Sequence, residues 1–286
     1  MLWGLFPLFW PLLEPAQPTE ILAHRFVWSL VVVLVILAIQ RRWRWIPALL
    51  RRPRRLALLV LAATLIAVNW WTYIYGVNSD QVVETSLGYF INPLVTVMIG
   101  VLVLRERLRR VQWLALGLGA IAVLVLAVDY GRVPWIALVL AFSFAAYGFI
   151  KKVLSMDAVQ SLTAETAVLF LPALAYLLLL DGGTFARGAP GHDALLAASG
   201  VVTAIPLLLF GAAARRLPLS TIGLLQYFGP ALQFVIGVWI FHEPMPLSRL
   251  IGFALVWAAL VVLTVDGLRH GRRRARTPAE LAPIPG

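Results

Sequence analysis

Apolar runs of roughly 20 residues, the length a helix needs to cross a bilayer, recur along the whole chain and are separated by short polar connectors. They fall at about 1–13, 20–39, 56–76, 82–104, 111–128, 134–153, 161–180, 194–213, 219–241 and 248–266. This pattern predicts an all-α integral membrane protein of ten transmembrane helices. The first run has only 13 residues, short of the roughly 20 that a span needs. It reads as a late start or a truncation that leaves the first helix incomplete on its cytoplasmic side. Residues 269–286 are basic, then rich in Pro, Ala and Gly, and read as a disordered cytoplasmic tail.

A shift of 137 residues aligns 86–129 with 223–266 without a gap. Pro93 then meets Pro230, Gly100 meets Gly237, Glu106 meets Glu243 and Asp129 meets Asp266. Twelve of the 44 positions are identical; for two apolar segments, the shared Pro, Gly, Glu and Asp say more than that count. The unit holds five spans, an odd number, so two consecutive copies must lie inverted in the membrane. The expected organisation is two inverted five-helix repeats, 1–130 and 131–268, followed by the tail 269–286. Inverted repeats are a common plan for secondary transporters.

Composition supports the membrane reading. The chain is 61% apolar and 13% charged, with a mean hydropathy of +0.89, whereas soluble domains run about 45–50% and about 25%. A net charge of +11 invites a nucleic-acid reading, but the basic residues form no face on a soluble domain. Residues 41–55, 105–110, 151–152, 215–216 and 269–276 hold 20 of the 24 Lys and Arg, always in alternate connectors. That is the positive-inside pattern. It places both termini in the cytoplasm and argues against nucleic acid as a partner. Cysteine is absent, which excludes disulfides, thiolate catalysis and Cys-ligated metals.

The candidate chemistry lies at paired helix interruptions. Asn92-Pro93 and Gly229-Pro230 sit near the middles of 82–104 and 219–241. Proline lacks an N–H and clashes with the preceding turn, freeing the carbonyls of Tyr89 and Gln226. Matched breaks in corresponding spans point to a transporter binding site, although a single Pro can also be a simple kink. Thr85, Tyr89, Asn92, Thr96 and Gly100 share one helix face, and Ile222, Gln226, Gly229, Gln233 and Gly237 share the matching one. Asn69, Thr72, Tyr73 and Gly76 line a face of the third span, and Ser143 and Tyr147 a face of the sixth. Amides and hydroxyls are costly against lipid, so these faces point inward. The expected solute-binding set is Asn69, Tyr73, Tyr89, Asn92, Thr96, Tyr147, Gln226, Tyr227 and Gln233, with Pro93 and Pro230 as helix breaks. The competing reading is helix–helix packing by small and polar residues, preferred for Gly100 and Gly237.

Few ionisable residues lie within spans. His24 and Arg25 sit about five residues into the second, and Glu165 about five into the seventh. Each is then about 7 Å deep from opposite faces of a core of about 30 Å, so Arg25 and Glu165 are roughly 15 Å apart along the normal and do not pair. They are candidates for gating, proton coupling or binding an anionic solute. Alternatively, Arg25 snorkels to the headgroups and His24 caps a neighbouring helix. Glu84 reads as a favourable charge at a helix N-terminus.

Five stretches resemble the RarD-type permeases of the EamA family, in the drug/metabolite transporter superfamily: GLFPLFW at 4–10, EILAHRFVWS at 20–29, NWWTYIYGVN at 69–78, ETSLGYFINPLVTVMIGVLVLRERL at 84–108 and LPLSTIGLLQYFGPALQF at 217–234. The resemblance implies ten helices in two inverted repeats around a central cavity, and solute movement across the bacterial inner membrane. The family is often labelled by chloramphenicol sensitivity or resistance, which does not fix a natural substrate; related carriers handle amino acids and other metabolites. The short first helix departs from the family pattern. The leading expectation is a secondary transporter working by alternating access, with no cofactor and no metal, whose partners are a small solute and the lipid bilayer. The oligomeric state is open, a homodimer included. No GxxxxGK[ST] phosphate loop and no HExxH zinc motif are present, so an ATP-driven pump and a zinc hydrolase have no support. A membrane enzyme of another kind and a non-transporting scaffold or sensor are the rival classes. Trp70, Tyr73, Tyr89 and Tyr227 give the expected cavity aromatic walls, which favours a small zwitterion or neutral aromatic compound over a polyanion.

Overall fold

The computed structural model describes residues 2–79, 81–130, 133–187 and 189–240, and beyond these positions 250, 251, 254, 255, 257–259, 261, 262 and 265. Glu243, Asp266 and the tail lie outside the described residues.

The described chain is helical. A 3-10 turn (Leu2–Leu5), α1 (Phe6–Phe9) and a second 3-10 turn (Trp10–Leu13) form the N-terminal segment. Then follow α2 (Pro18–Gln40), α3 (Trp45–Leu50), α4 (Pro53–Asn78), α5 (Val82–Leu102), α6 (Arg110–Tyr130), α7 (Trp135–Leu154), α8 (Ala158–Leu179), α9 (Pro190–Arg216), α10 (Leu219–Gln226) and α11 (Phe228–Trp239). The second to eighth expected spans reappear to within a few residues; the first is three short turns, the ninth is two helices, and the tenth falls largely outside the described residues. α3 lies in the Arg-rich connector that sequence read as loop. Among the described residues, five helical stretches are long and apolar enough to cross a membrane: α2, α4 over Pro53–Gly76, α7, α8 and α9. Leu2–Leu13 and the described parts of α5 and α6, Leu87–Leu102 and Arg110–Val125, are shorter apolar stretches.

Local sequence sets the helix ends. Proline opens α2 and α9, where the missing N–H would have had no intrahelical partner. Asp157 caps α8, its carboxylate accepting from the Val159 N–H at 3.1 Å. Arg41 and Ser155 end α2 and α7 in the left-handed conformation.

Pro93 does not break its helix: α5 runs through it without interruption, and α8 and α9 likewise carry Pro172 and Pro206 inside them. The interruption falls instead in the second stretch, at Tyr227 between α10 and α11. One proline costs one backbone bond, but Gly229-Pro230 puts the two poorest helix formers side by side. Asn92 also donates to the Ala141 carbonyl at 3.0 Å, holding α5 against α7 across the Pro93 position.

The core is shared by α2, α4, α7, α8, α9 and α10, where Val33, Leu59, Ala62, Ile150, Leu162, Ala204, Leu207 and Ile222 form one buried cluster. α2 and α9 approach closely enough for the Ser29 hydroxyl to donate to the Gly200 carbonyl at 3.1 Å. A Cβ added at Gly200 would lie 2.4 Å from Trp28 backbone, so only glycine fits this crossing.

Candidate functional site

Arg25 is the most unusual side chain in the bundle. It is the eighth residue of α2, about 10 Å along the helix axis from its start, and only 8% of its surface is accessible. It does not snorkel. Its guanidinium carbon lies 3.9 Å from the Trp70 ring centroid, 4.6 Å from Trp10 and 6.0 Å from Phe6. Its Nε–H donates to the Thr203 hydroxyl of α9 at 2.9 Å. On the same helix as Trp70, Tyr73 packs edge to face on Tyr89 with ring centroids 6.0 Å apart. No carboxylate of the described residues pairs with it. A cation inside a membrane bundle normally faces an acid, a carbonyl or a water-filled cavity. Tyr89 keeps 36% of its surface accessible.

A second cluster lies where α5 meets the α10–α11 break. The amide of Gln226, the Tyr227 hydroxyl and the Thr96 hydroxyl are buried, and none has a hydrogen-bond partner among the described residues. Tyr227 is wholly buried, its hydroxyl seated against Gly119 of α6, where an added Cβ would clash with it. A Cβ added at Gly223 would lie 2.9 Å from the Pro93 carbonyl, so α10 crosses α5 at the proline. At Gly229 an added Cβ meets no atom within 4 Å, so there is room beside the break. Unpaired buried polar atoms are rare in folded proteins and call for an explanation.

Other expected binding residues are occupied by helix packing. Asn69 donates to the Leu140 carbonyl at 2.8 Å and the Ser143 hydroxyl at 3.0 Å; Asn92 donates to the next carbonyl, Ala141. Both amides thus tie α4 and α5 to α7. The side chains of Gln233 and Pro230 lie outside the described residues.

Glu165 sits in a closed network. The Lys151 ammonium donates to its Oε1 at 2.6 Å, Ser161 donates to the same oxygen at 2.7 Å, and the Tyr147 hydroxyl donates to Oε2 at 3.0 Å. Lys151 and Glu165 are 4% and 1% exposed. Tyr147 in turn stacks on Phe210 at 5.9 Å. Sequence reasoning missed Lys151, counting it as a connector charge; it occupies the last turn of α7, within reach of the first turns of α8. Arg25 and Glu165 are not partners of each other.

Carboxylates outside the expected site join elements. Glu106 accepts from the Leu219 and Ser220 N–H groups at 2.7 and 2.8 Å, capping α10 across the bundle. Glu84 accepts from the Ile136 N–H at 2.6 Å, at the start of α7. Glu20 accepts from the Thr184 N–H at 2.7 Å. His24 caps nothing. Its ring nitrogens have no partner among the described residues, and it lies 4.8 Å from Phe185 in a groove of about 300 Å³ with Glu20, Trp28 and Arg187.

A sequence profile described as the EamA-like transporter family matches residues 1–128. The chain is 64% identical over 282 residues to Protein RarD of Streptomyces exfoliatus, covering 97% of this chain and 90% of that one. It is 30% identical over 281 residues to the chloramphenicol-sensitive protein RarD of Pseudomonas aeruginosa, covering 96% and 94%. A solved crystal structure shares the fold with a TM-score of 0.70 at 19% identity, covering 92% of this chain and 94% of that one.

Proposed function

This chain belongs to the EamA family, as a RarD-type multi-pass membrane transporter, and we propose that it moves a small solute across the bacterial inner membrane by alternating access. The observation that carries the reading is a set of buried polar groups, Thr96, Gln226 and Tyr227, that have no hydrogen-bond partner among the described residues, together with Arg25, whose single hydrogen bond among them goes to Thr203 and which no acid there pairs. Unpaired polar groups in a membrane interior have a use when a solute completes them.

The proposed architecture is ten spans in two inverted repeats, 1–130 and 131–268, with both termini cytoplasmic. The packing supports it. If the N-terminal segment, α2, α4 and α5 correspond to α7, α8, α9 and α10–α11, then exchanging the halves should exchange packing partners. α5 packs on α7, and α11 packs on the N-terminal segment. α2 packs on α9, and α8 packs on α4. The exchange-invariant pairs, α2 with α8 and α5 with α10, are also in contact. The family profile stops at residue 128, the length of one half.

Tyr73, Tyr89, Thr96, Gln226 and Tyr227 face the solute, with Gln233 added as the repeat counterpart of Thr96. The Lys151–Glu165–Tyr147 network joins α7 to α8 within the second proposed half and holds that half together as the halves rock. The test is counterflow of labelled amino acids, aromatic metabolites and chloramphenicol in sealed proteoliposomes; chloramphenicol joins the panel because a relative is named for it. The expected result is uptake of at least one solute, lost in Gln226→Ala combined with Tyr89→Phe while the protein stays folded. Uptake unchanged in that double variant removes the cavity assignment, and no movement of any solute removes the carrier.

A further inference from the structure

Resting on that carrier reading, we propose that Arg25 anchors a carboxylate, so that the solute is a monocarboxylate or a zwitterion with a small flat body. Arginine stays charged in proteins, and burial of a charge without a counter-ion is among the costliest arrangements a membrane bundle can hold. The surroundings of Arg25 compensate it only in part. Trp70 and Trp10 cover the guanidinium at 3.9 and 4.6 Å, a cation–π contact that stabilises the charge without neutralising it. Thr203 accepts from Nε. The described residues offer no acid.

Geometry then limits what completes the site. A guanidinium is a planar fork whose donors point outward in its own plane. Aromatic contacts occupy its surroundings without accepting its N–H groups. Thr203 takes the Nε edge. What remains is the end-on edge, the paired terminal N–H groups, which matches the two oxygens of one carboxylate. Tyr73 lies one turn along α4 from Trp70 and packs edge to face on Tyr89 at 6.0 Å, and the accessible surface of Tyr89 would supply an aromatic wall for a flat body attached to that carboxylate. A polyanion does not fit, because the neighbouring ionisable group, His24, belongs to the separate groove with Phe185 and Arg187. The contacts to Arg25 come from the N-terminal segment, α4 and α9, so its anchor spans both proposed halves and any rocking between them changes the site.

The experiment measures binding of acid–amide pairs to the purified full-length protein in detergent: acetate and acetamide, phenylacetate and phenylacetamide, indole-3-acetate and its amide, with chloramphenicol as a neutral ligand. Thermal shift and equilibrium dialysis are read for wild type, Arg25→Gln and Arg25→Lys. At least one acid should bind about tenfold or more tighter than its amide, the ratio a charge-assisted pair supplies. Arg25→Gln should reduce that ratio to about one, and Arg25→Lys, which keeps the charge but not the fork, should retain only part of it. A purely structural arginine would move the melting temperature and leave the acid-to-amide ratio unchanged. The proposal is overturned if wild type shows no acid preference across the panel, or if Arg25→Gln keeps it. If Arg25→Gln does not fold, the wild-type ratio and Arg25→Lys decide. Counterflow separates the two readings: solute movement without acid preference leaves the carrier and removes the anchor, whereas Arg25-dependent acid binding without movement of any solute leaves the anchor and removes the carrier.

Discussion

Arg25 on α2 and Glu165 on α8 lie on corresponding helices of the proposed repeat, each a few residues inside the bundle, and their surroundings are opposite. Glu165 receives three donors, from Lys151, Ser161 and Tyr147, and its charge is matched. Among the described residues Arg25 has one acceptor, Thr203, and aromatic faces. In a low-dielectric interior a satisfied polar network holds one arrangement firmly, while a partly satisfied one leaves donors for something else. The difference separates two roles that depth and charge alone would merge: a closed pair that joins helices, and an open cation that receives a ligand.

The largest expected effect is at the closed pair. Glu165→Ala strands the Lys151 ammonium in the bundle, and breaking a buried pair costs about 3–5 kcal/mol. Thermal unfolding in detergent should show a drop of several degrees. Lys151→Ala should do the same from the other side. The double variant should be more stable than either single one, because no charge is left unpaired. If both singles unfold at the wild-type temperature, the pair is not closed and the comparison fails.

A smaller effect is expected at Glu106, which caps the N-terminus of α10 with both carboxylate oxygens. Glu106→Ala removes two acceptors and a favourable charge at the positive end of a helix, a loss of about 1–2 kcal/mol. Glu106→Gln keeps one acceptor and should lie between. This case sharpens the comparison, since it shows what a carboxylate matched by backbone, rather than by a cation, contributes. Gly100 belongs to the same contact: a Cβ there would meet the Glu106 carboxylate at 2.8 Å and the Ser220 nitrogen at 2.9 Å.

Hydropathy predicted the principal helices because lipid imposes long apolar runs, and it placed their ends to within a few residues. It failed where the signal is not apolar length. The N-terminal segment is apolar yet folds as short turns, and α3 forms among arginines. The site was legible in part. Arg25 and Glu165 stood out because charge inside a span is rare. Lys151 did not, because a positive-inside count treats a lysine in the last turn of a helix like one in a loop. Thr203 was invisible too: a single hydroxyl in an apolar run gives no sign of which helix it will face. The roles of Asn69 and Asn92 could not be separated from that of Gln226 by spacing, since an amide that staples helices and one that faces a cavity have the same periodicity.

Arg25→Gln should change the ligand-free stability little, within about 1 kcal/mol of zero. It loses one hydrogen bond and its cation–π contacts but also relieves an uncompensated charge. That is the direct opposite of Glu165→Ala, and the ratio of the two melting shifts is the comparison in one measurement. An Arg25→Gln loss as large as that of Glu165→Ala would make Arg25 a structural residue and merge the two regions again.

The smallest effects separate the amides. Asn92 donates to a carbonyl of α7, so Asn92→Ala should cost about 0.6 kcal/mol, the average for a polar contact between membrane helices. The Gln226 amide is buried with neither end paired among the described residues. Gln226→Ala should therefore cost nothing or raise the melting temperature slightly, because truncation removes polar atoms that folding left unsatisfied. Transport should rank them the other way, with Asn92→Ala close to wild type and Gln226→Ala impaired. Melting curves and counterflow on the same two proteins are needed together. If Asn92→Ala abolishes uptake without loss of stability, its bond to Ala141 is one the solute replaces. The open region would then extend along α5 to the proline and be larger than the single cation and its aromatic walls.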